Sequence, residues 1–337
     1  MSPNPPSSLR FGIIGFGRFA EQAIAPAIRS ASNARLVAIQ KRSQSAVEER
    51  ARALNIPLAF TSANDLVAHP EVDAVFIVSA NVAHAAETIA AARAGKHVLV
   101  EKPIAMNASE AEEMIEECRK AGVTLMVGHM VRLSPAVRRM KELMQTGTIG
   151  RVTFVKSEFT YDARLSQRGW LFDRVVAGGG PLYDIAVHCL DTIRFILDDE
   201  VASVKAHLSP VPSATETEAT AHLALRFTRG TTASIYTSFE SGIRRSALEV
   251  VGTEGMLALE HFTRSDMTLE LLITRAENGM PGTMTRETIV VPNLYRQEVE
   301  LFAESVLRGT PSPIPGEEGL RNQRILDAAV RSASQAD

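Results

Sequence analysis

Between a short apolar run, Phe11 to Ile14, and an amphipathic stretch, Phe19 to Arg29, the chain reads Gly15-Phe16-Gly17-Arg18-Phe19-Ala20. A G-x-G-x-x-A turn at a strand-to-helix junction constrains the fold more than any other segment. Gly15 permits a tight turn, Gly17 lets the backbone approach a pyrophosphate, and the small Ala20 allows close helix–strand packing. The helix that follows offers its N–H groups and the positive end of its dipole to phosphates.

The pattern beyond this turn has a βα rhythm. Apolar runs at Leu36–Ile39, Val72–Ser79, His97–Val100 and Val123–Val127 predict strands. Helical periodicity at Ser45–Leu54, Ala83–Ala94 and Ala108–Ala121 fills the gaps between them. Short strands that are apolar throughout suit a parallel sheet covered on both faces, and their alternation with helices predicts a doubly wound Rossmann sheet. After Gly128 the texture changes. A helix is expected at Ser134–Gln145, an alternating strand at Arg151–Thr160, and a helix at Leu182–Leu197 behind the triplet Gly178-Gly179-Gly180. Strand-like runs follow between Val201 and Val291, including His222–Phe227, Thr231–Thr237, Leu248–Val251 and Met256–Glu260. They imply a large, mostly antiparallel open sheet. Helical stretches at Arg296–Leu307 and Leu320–Ser334 close the chain. The expected fold class is therefore α/β. A Rossmann dinucleotide-binding domain over 9–128 is followed by an α+β domain over 129–337. With 337 residues, 45% of them hydrophobic, there is apolar material for two cores.

Composition narrows the class of function. A net charge of −3 provides no general field for nucleic acid or an acidic membrane surface. Two cysteines, Cys118 and Cys189, form no disulfide framework and fit a reducing cytoplasm. Met1 to Ser8 reads as a disordered lead-in without the features of a secretory signal. No apolar run approaches the roughly 20 residues that span a bilayer.

The cofactor is read from the end of the second strand. An NAD enzyme places a carboxylate there for the ribose 2′-hydroxyl. Here the residues are Ile39-Gln40-Lys41-Arg42-Ser43, with no acid. Arg42 can stack on adenine or fork onto a 2′-phosphate, and Lys41 and Ser43 add charge and hydrogen bonds. NADP(H) is expected in preference to NAD(H); the bland alternative is a solvated basic loop.

Two further stretches carry chemistry. Lys102 stands in Glu101-Lys102-Pro103 at the carboxyl end of a Rossmann strand, where ligands of open sheets bind. Asp184 and His188 are four apart, on one face of the helix behind the glycine triplet. Histidine titrates near neutrality and can give or take the proton of a reacting hydroxyl. An ammonium stabilises a developing alkoxide. At the domain junction, His129 and Arg132 could face a substrate. Trp170, the only tryptophan, is either an apolar wall for a sugar ring or a core anchor. Asp191 reads as helix or pocket support. Cys189 is adjacent to His188 and turned away from it, so no metal site is expected.

With Gly15–Ala20, Glu101–Pro103 and the run G-G-G-x-L-x-D-x-x-x-H-x-x-D over Gly178–Asp191, the sequence resembles the Gfo/Idh/MocA family of oxidoreductases from Leu9 to Ser334. Gly316-Glu317-Glu318-Gly319-Leu320 matches a further stretch of that family. Ser79-Ala80-Asn81-Val82-Ala83-His84 is similar to its turn beneath the nicotinamide. The resemblance implies Lys102, Asp184 and His188 as the catalytic set, with Ser79, Asn81, His84, Glu101 and Lys102 joining Gly15, Phe16, Gly17, Arg18, Phe19, Lys41, Arg42 and Ser43 around the cofactor. The resemblance further implies that the domain over 129–337 is the substrate-binding and oligomerisation domain. Substrate contacts are then expected from His129, Arg132, Trp170, Asp184 and His188. Asp184-Ile185-Ala186-Val187-His188 has alanine where many members have glycine. This form resembles the branch that reduces 1,5-anhydro-D-fructose. The implied function is hydride transfer between NADP(H) and a hydroxyl or carbonyl of a sugar-like molecule, by a cytoplasmic homo-oligomer joined through the second domain's sheet. Aldose, inositol or dihydrodiol dehydrogenases, a cofactor-retaining glycosidase and a non-catalytic NADP-binding regulator are the alternatives.

Overall fold

The computed structural model describes residues 8–334, which fall into two compact units. The reading of Met1 to Ser8 as a lead-in lies, apart from Ser8, outside the described residues.

The first unit contains residues up to His129 and also Tyr295–Gln323. Its six strands are β1 (Leu9–Ile14), β2 (Ala34–Gln40), β3 (Leu58–Phe60), β4 (Ala74–Ile77), β5 (His97–Glu101) and β6 (Leu125–Gly128), all parallel, in the order β3-β2-β1-β4-β5-β6. Every residue of β4 is buried, as a sheet covered on both faces requires. The chain leaves β1 in one direction, through β2 and β3, and returns to the other side of β1 at β4. The reversal opens a crevice at the carboxyl ends of β1 and β4, where doubly wound sheets bind ligands. Ser62 caps the helix Ala63–Ala68 that makes this return. The sequence reading passed over that helix and β3, because elements of six and three residues are too short to show a period.

The sequence reading also ran the second domain without a break to the C-terminus, and here it needs correction. Residues 295–323 pack with the first unit. Phe302 is fully buried, its ring 5.7 Å from that of Phe11 on β1. The Val127 amide donates to the Ile314 carbonyl at 3.0 Å. Gly319 lies so close to β6 that an added Cβ would meet Val127 Cγ2 at 2.9 Å. The glycine is there for packing.

The second unit, Met130–Leu294 with the chain from Arg324, carries β7 (Val152–Asp162), β8 (Val201–Ser209), β9 (Thr220–Phe227), β10 (Thr232–Ser238), β11 (Glu240–Gly252), β12 (Gly255–Glu260), β13 (Met267–Glu277) and β14 (Met280–Val291). They form one sheet, β14-β13-β12-β11-β7-β10-β9-β8, antiparallel except where β7 and β10 run parallel. Strict alternation in β9 buries Ala221, Leu223, Leu225 and Phe227 and leaves the residues between them exposed. Among the described residues, no helix is long and apolar enough to cross a membrane.

Both motif-bearing helices open with a wide π-helical stretch, Ala20–Ile24 and Leu182–Ala186, before continuing as Ala25–Ser30 and Val187–Leu197. Such widening is frequent at functional sites and leaves no trace in hydrophobic periodicity. The glycine triplet has its own physical cause. Oε1 of the buried Glu218 accepts the amides of Gly180 and Leu182, each at 2.9 Å, at the start of this helical segment. The backbones come so close that a Cβ on Gly180 would stand 2.1 Å from the Glu218 carbonyl oxygen. Gly180→Ala is expected to destabilise the protein by at least about 2 kcal/mol, because backbone on backbone leaves nothing flexible to yield. Urea unfolding followed by circular dichroism measures this; a midpoint equal to wild type would show that the contact is not required.

Candidate active site

In the first unit the glycine turn is built by three neighbours. Gly15 has φ +82°, and an added Cβ would lie 2.6 Å from the backbone of Ser79, which follows β4. Only glycine serves there. Gln40, at the end of β2, holds the turn from the other side. Its side-chain Oε1 accepts the Gly15 amide at 3.0 Å, and its backbone carbonyl accepts the Phe16 amide at 2.8 Å. Gly17 differs from Gly15. It has no left-handed φ, and an added Cβ would meet only the Gly15 carbonyl oxygen, at 3.8 Å. The protein itself does not demand glycine at 17; a phosphate resting on that backbone would. Helical structure begins at Arg18, so the first-turn amides face the same place. The residues present therefore fit a dinucleotide.

The remaining cofactor candidates sort by exposure. Phe16 is buried and offers only its backbone, whereas Arg18 and Phe19 are exposed, with the Phe19 ring edge-on to Tyr295 at 5.5 Å. Arg42 and Ser43 are exposed and Lys41 is half-buried, its ammonium 6.0 Å from the Phe16 ring. Ser43 also caps the helix Gln44–Leu54, accepting from the Ala46 amide at 3.4 Å. The acid expected of an NAD enzyme is absent from this strand end, and Gln40 occupies the place.

Ser79 and His84 work behind the cofactor face. The Ser79 hydroxyl donates to Glu87 at 2.5 Å, and burial raises the Glu87 pKa to about 6. His84 is buried, with Nδ1 at 2.9 Å from the Pro103 carbonyl and Nε2 at 3.2 Å from the Ser79 carbonyl. Burial pushes its pKa down to about 4, so the ring is neutral at physiological pH. The imidazole ties the turn after β4 to the Lys102-Pro103 turn. Asn81 is also buried. The Lys102 amide donates to Glu101 Oε2 at 3.2 Å, so Glu101 shapes the turn that presents the half-buried Lys102. Helix Leu294–Arg308 adds Glu298, fully buried, whose pKa is raised well above the carboxylate range by burial and then by the charge of Glu101.

In the second unit Asp184 is the centre of a cluster. The Tyr161 hydroxyl donates to Asp184 Oδ2 at 2.8 Å. Arg168 donates to the same oxygen at 3.1 Å and to the Tyr161 oxygen at 2.7 Å. The Asp184 charge, followed by burial acting in the opposite direction, leaves the Arg168 pKa raised. Burial raises the Tyr161 pKa, with the Asp184 carboxylate acting in the same direction, so the phenol stays protonated. The half-buried His188 ring lies 6.1 Å from the Phe159 ring, and Phe159 lies 6.2 Å from Tyr161, two residues along the same face of β7. Asp184 and His188 thus border one aromatic wall. The buried Cys189 thiol is pushed up to about 12 by burial, which leaves it inert as a nucleophile.

The two junction residues expected to meet substrate are engaged within the protein. Arg132 donates to both oxygens of buried Asp191, at 2.7 and 2.8 Å. His129 is buried in the first unit, where the Asn322 amide group donates to its Nε2 at 3.1 Å. Trp170 is half-buried on a short turn, Gly169–Phe172. Sequence reasoning missed Gln40, Tyr161, Arg168 and Arg244. For Tyr161 a signal existed, since alternation in β7 places it beside Phe159; the others show themselves only through contacts distant in sequence.

A profile of the oxidoreductase family with an NAD-binding Rossmann fold, GFO/IDH/MocA, matches residues 9–129, and one of the GFO/IDH/MocA C-terminal domain matches 137–258. The chain is similar to a 1,5-anhydro-D-fructose reductase of Ensifer adhaerens, 33% identical over 96% of each chain. It is also similar to D-xylose 1-dehydrogenase (NADP(+)) 2 of Haloferax volcanii, 31% identical over 96% of this chain and 97% of that one. The structure of an aldose–aldose oxidoreductase from Caulobacter crescentus complexed with glycerol superposes with a TM-score of 0.87, at 26% identity and 98% coverage of both chains.

The contrast between the two turn glycines can be measured. Gly17→Ala is expected to leave the urea midpoint within about 0.5 kcal/mol of wild type while weakening dinucleotide binding about tenfold or more. Calorimetric titration with NADPH reads the second quantity. Unchanged affinity would mean that no phosphate rests on Gly17.

Proposed function

The chain belongs to the Gfo/Idh/MocA family of oxidoreductases, and from that premise we propose that it transfers hydride between NADP(H) and a hydroxyl or carbonyl carbon of a sugar-like ring. The observation that carries the reading is, within the second unit, a half-buried histidine bordering an Asp–Tyr–Arg cluster; the first unit separately offers an open glycine turn.

When bound, the nicotinamide supplies or accepts the hydride. The rest of the chemistry falls to side chains. His188 gives a proton to the oxygen of a carbonyl being reduced, and takes it back in the oxidative direction. The Lys102 ammonium stabilises negative charge as it develops on that oxygen. Tyr161 and Arg168 hold Asp184 in one orientation, and Asp184 orients the substrate end of the site. Trp170 provides apolar surface for the ring. Lys41, Arg42 and Ser43 hold the 2′-phosphate, supported by the lack of an acid after β2. Kinship with a 1,5-anhydro-D-fructose reductase and an NADP-linked D-xylose dehydrogenase supports a cyclic ketose or aldose scaffold, with 1,5-anhydro-D-fructose reduction as the narrower reading. Exposed Tyr236, Met284 and Val290 support the uncovered sheet face as the contact between subunits of a cytoplasmic homo-oligomer.

The first experiment is a panel of cyclic ketoses, aldoses and inositols followed by NADPH absorbance in both directions. No turnover with any of them, or with the corresponding sugar acids and sugar phosphates, would sink the proposal. His188→Ala is expected to lower kcat about 100-fold or more with NADPH affinity near wild type; equal kcat in both proteins would remove His188 from proton transfer. Lys41→Ala combined with Arg42→Ala is expected to weaken NADPH about tenfold or more and NADH little. An equal loss for both cofactors would mean that the loop does not read the 2′-phosphate.

A further inference from the structure

Arg244 stands in the second unit, over the aromatic wall that borders His188 and Asp184. Its guanidinium carbon lies 5.3 Å from the centre of the Phe159 ring and 5.4 Å from that of Tyr161. Its placement follows from the pairing of β11 with β7: Arg245 pairs with Thr160 and Ser246 with Phe159, so Arg244, two residues before Ser246, shares the face of Phe159 and Tyr161. The neighbouring Arg245 shows the ordinary arrangement: it meets Glu158 at 2.5 Å and Glu260 at 2.6 Å. Among the described residues, no carboxylate forms an ion pair with Arg244.

The charges around it sharpen the point. The one carboxylate of the cluster, Asp184, is engaged by Arg168 and the Tyr161 hydroxyl. Burial lowers the pKa of Arg244, and the nearby charge of Arg264 lowers it further. A guanidinium held beside aromatic rings and paired with no carboxylate keeps N–H groups available, in a fork that matches a carboxylate or phosphate.

We infer that Arg244 binds an anionic substituent of the substrate, a carboxylate or a phosphate, so that the preferred substrate is a sugar acid or sugar phosphate. The inference rests on the reading that this unit receives the sugar. The His188 ring and the Arg244 guanidinium carbon lie 6.1 and 5.3 Å from the centre of the one Phe159 ring, which gathers both groups at the same aromatic surface.

A matched trio tests it: D-glucose, D-glucuronate and D-glucose 6-phosphate, offered to the full-length enzyme with NADP+. At least one anionic member is expected to exceed glucose in kcat/KM about tenfold or more, the scale of one charge-assisted contact. Whichever anion gains identifies the group as carboxylate or phosphate. Arg244→Gln is expected to bring the ratio to about one, and Arg244→Lys to retain part of it. A wild-type ratio near one, or a ratio unchanged in Arg244→Gln, overturns the inference; the wild-type arm stands even if the glutamine variant does not fold. Calorimetric titration of the same three compounds into NADP+-loaded enzyme separates the two claims. Arg244-dependent binding of an anion without any turnover supports the inference and sinks the hydride-transfer reading. Turnover of glucose without anion preference does the reverse, and no binding of either anion overturns the inference.

Discussion

The contact of Gly15 with the backbone of Ser79 is the constraint on which the first unit's site depends. It joins the carboxyl ends of β1 and β4 at the point where the winding of the sheet reverses. A side chain at 15 would force the two strand ends apart. Gln40 closes the third side of the turn by offering two acceptors to consecutive amides. His84 extends the same construction to the next strand end, bracing the Pro103 turn against Ser79 with a ring that burial keeps neutral. The amides and the ammonium that would meet a cofactor are thus placed by residues that never reach it.

The second unit follows the same logic with different parts. Glu218 draws the glycine triplet against itself and sets where the helix of Asp184 and His188 begins. The wide turn Leu182–Ala186 then carries Asp184 toward Tyr161 and Arg168. A carboxylate buried among such donors is held in one orientation. Phe159 and Tyr161 are the common floor, with an imidazole and a guanidinium both beside it.

Much of this was legible in the sequence because the signals were local. The helix Ala108–Ala121 begins behind the Asn107 cap and ends at left-handed Gly122, and its bounds are readable to the residue. The glycine turn, the Lys102 turn and the Asp184–His188 spacing are local in the same way. What escaped was set by partners far along the chain. Arg132 looks available until Asp191, 59 residues away, takes both prongs of its fork. His129 looks exposed at a junction until Asn322, 193 residues away, covers it. Arg244 looks like one more surface arginine until the pairing of β11 with β7, distant in sequence, brings it over Phe159.

The return of residues 295–323 to the first unit has a consequence for how this chain comes into being. Synthesis proceeds from the N-terminus, and Phe11 emerges some three hundred residues before Phe302, the ring that packs against it. Until then β1 carries an uncovered aromatic surface, and the β6 amide of Val127 waits for the carbonyl of Ile314. The nucleotide-binding half is therefore begun first and finished last, after the whole eight-stranded sheet has left the ribosome. Its nascent form is the stage at which exposed apolar surface most needs shielding.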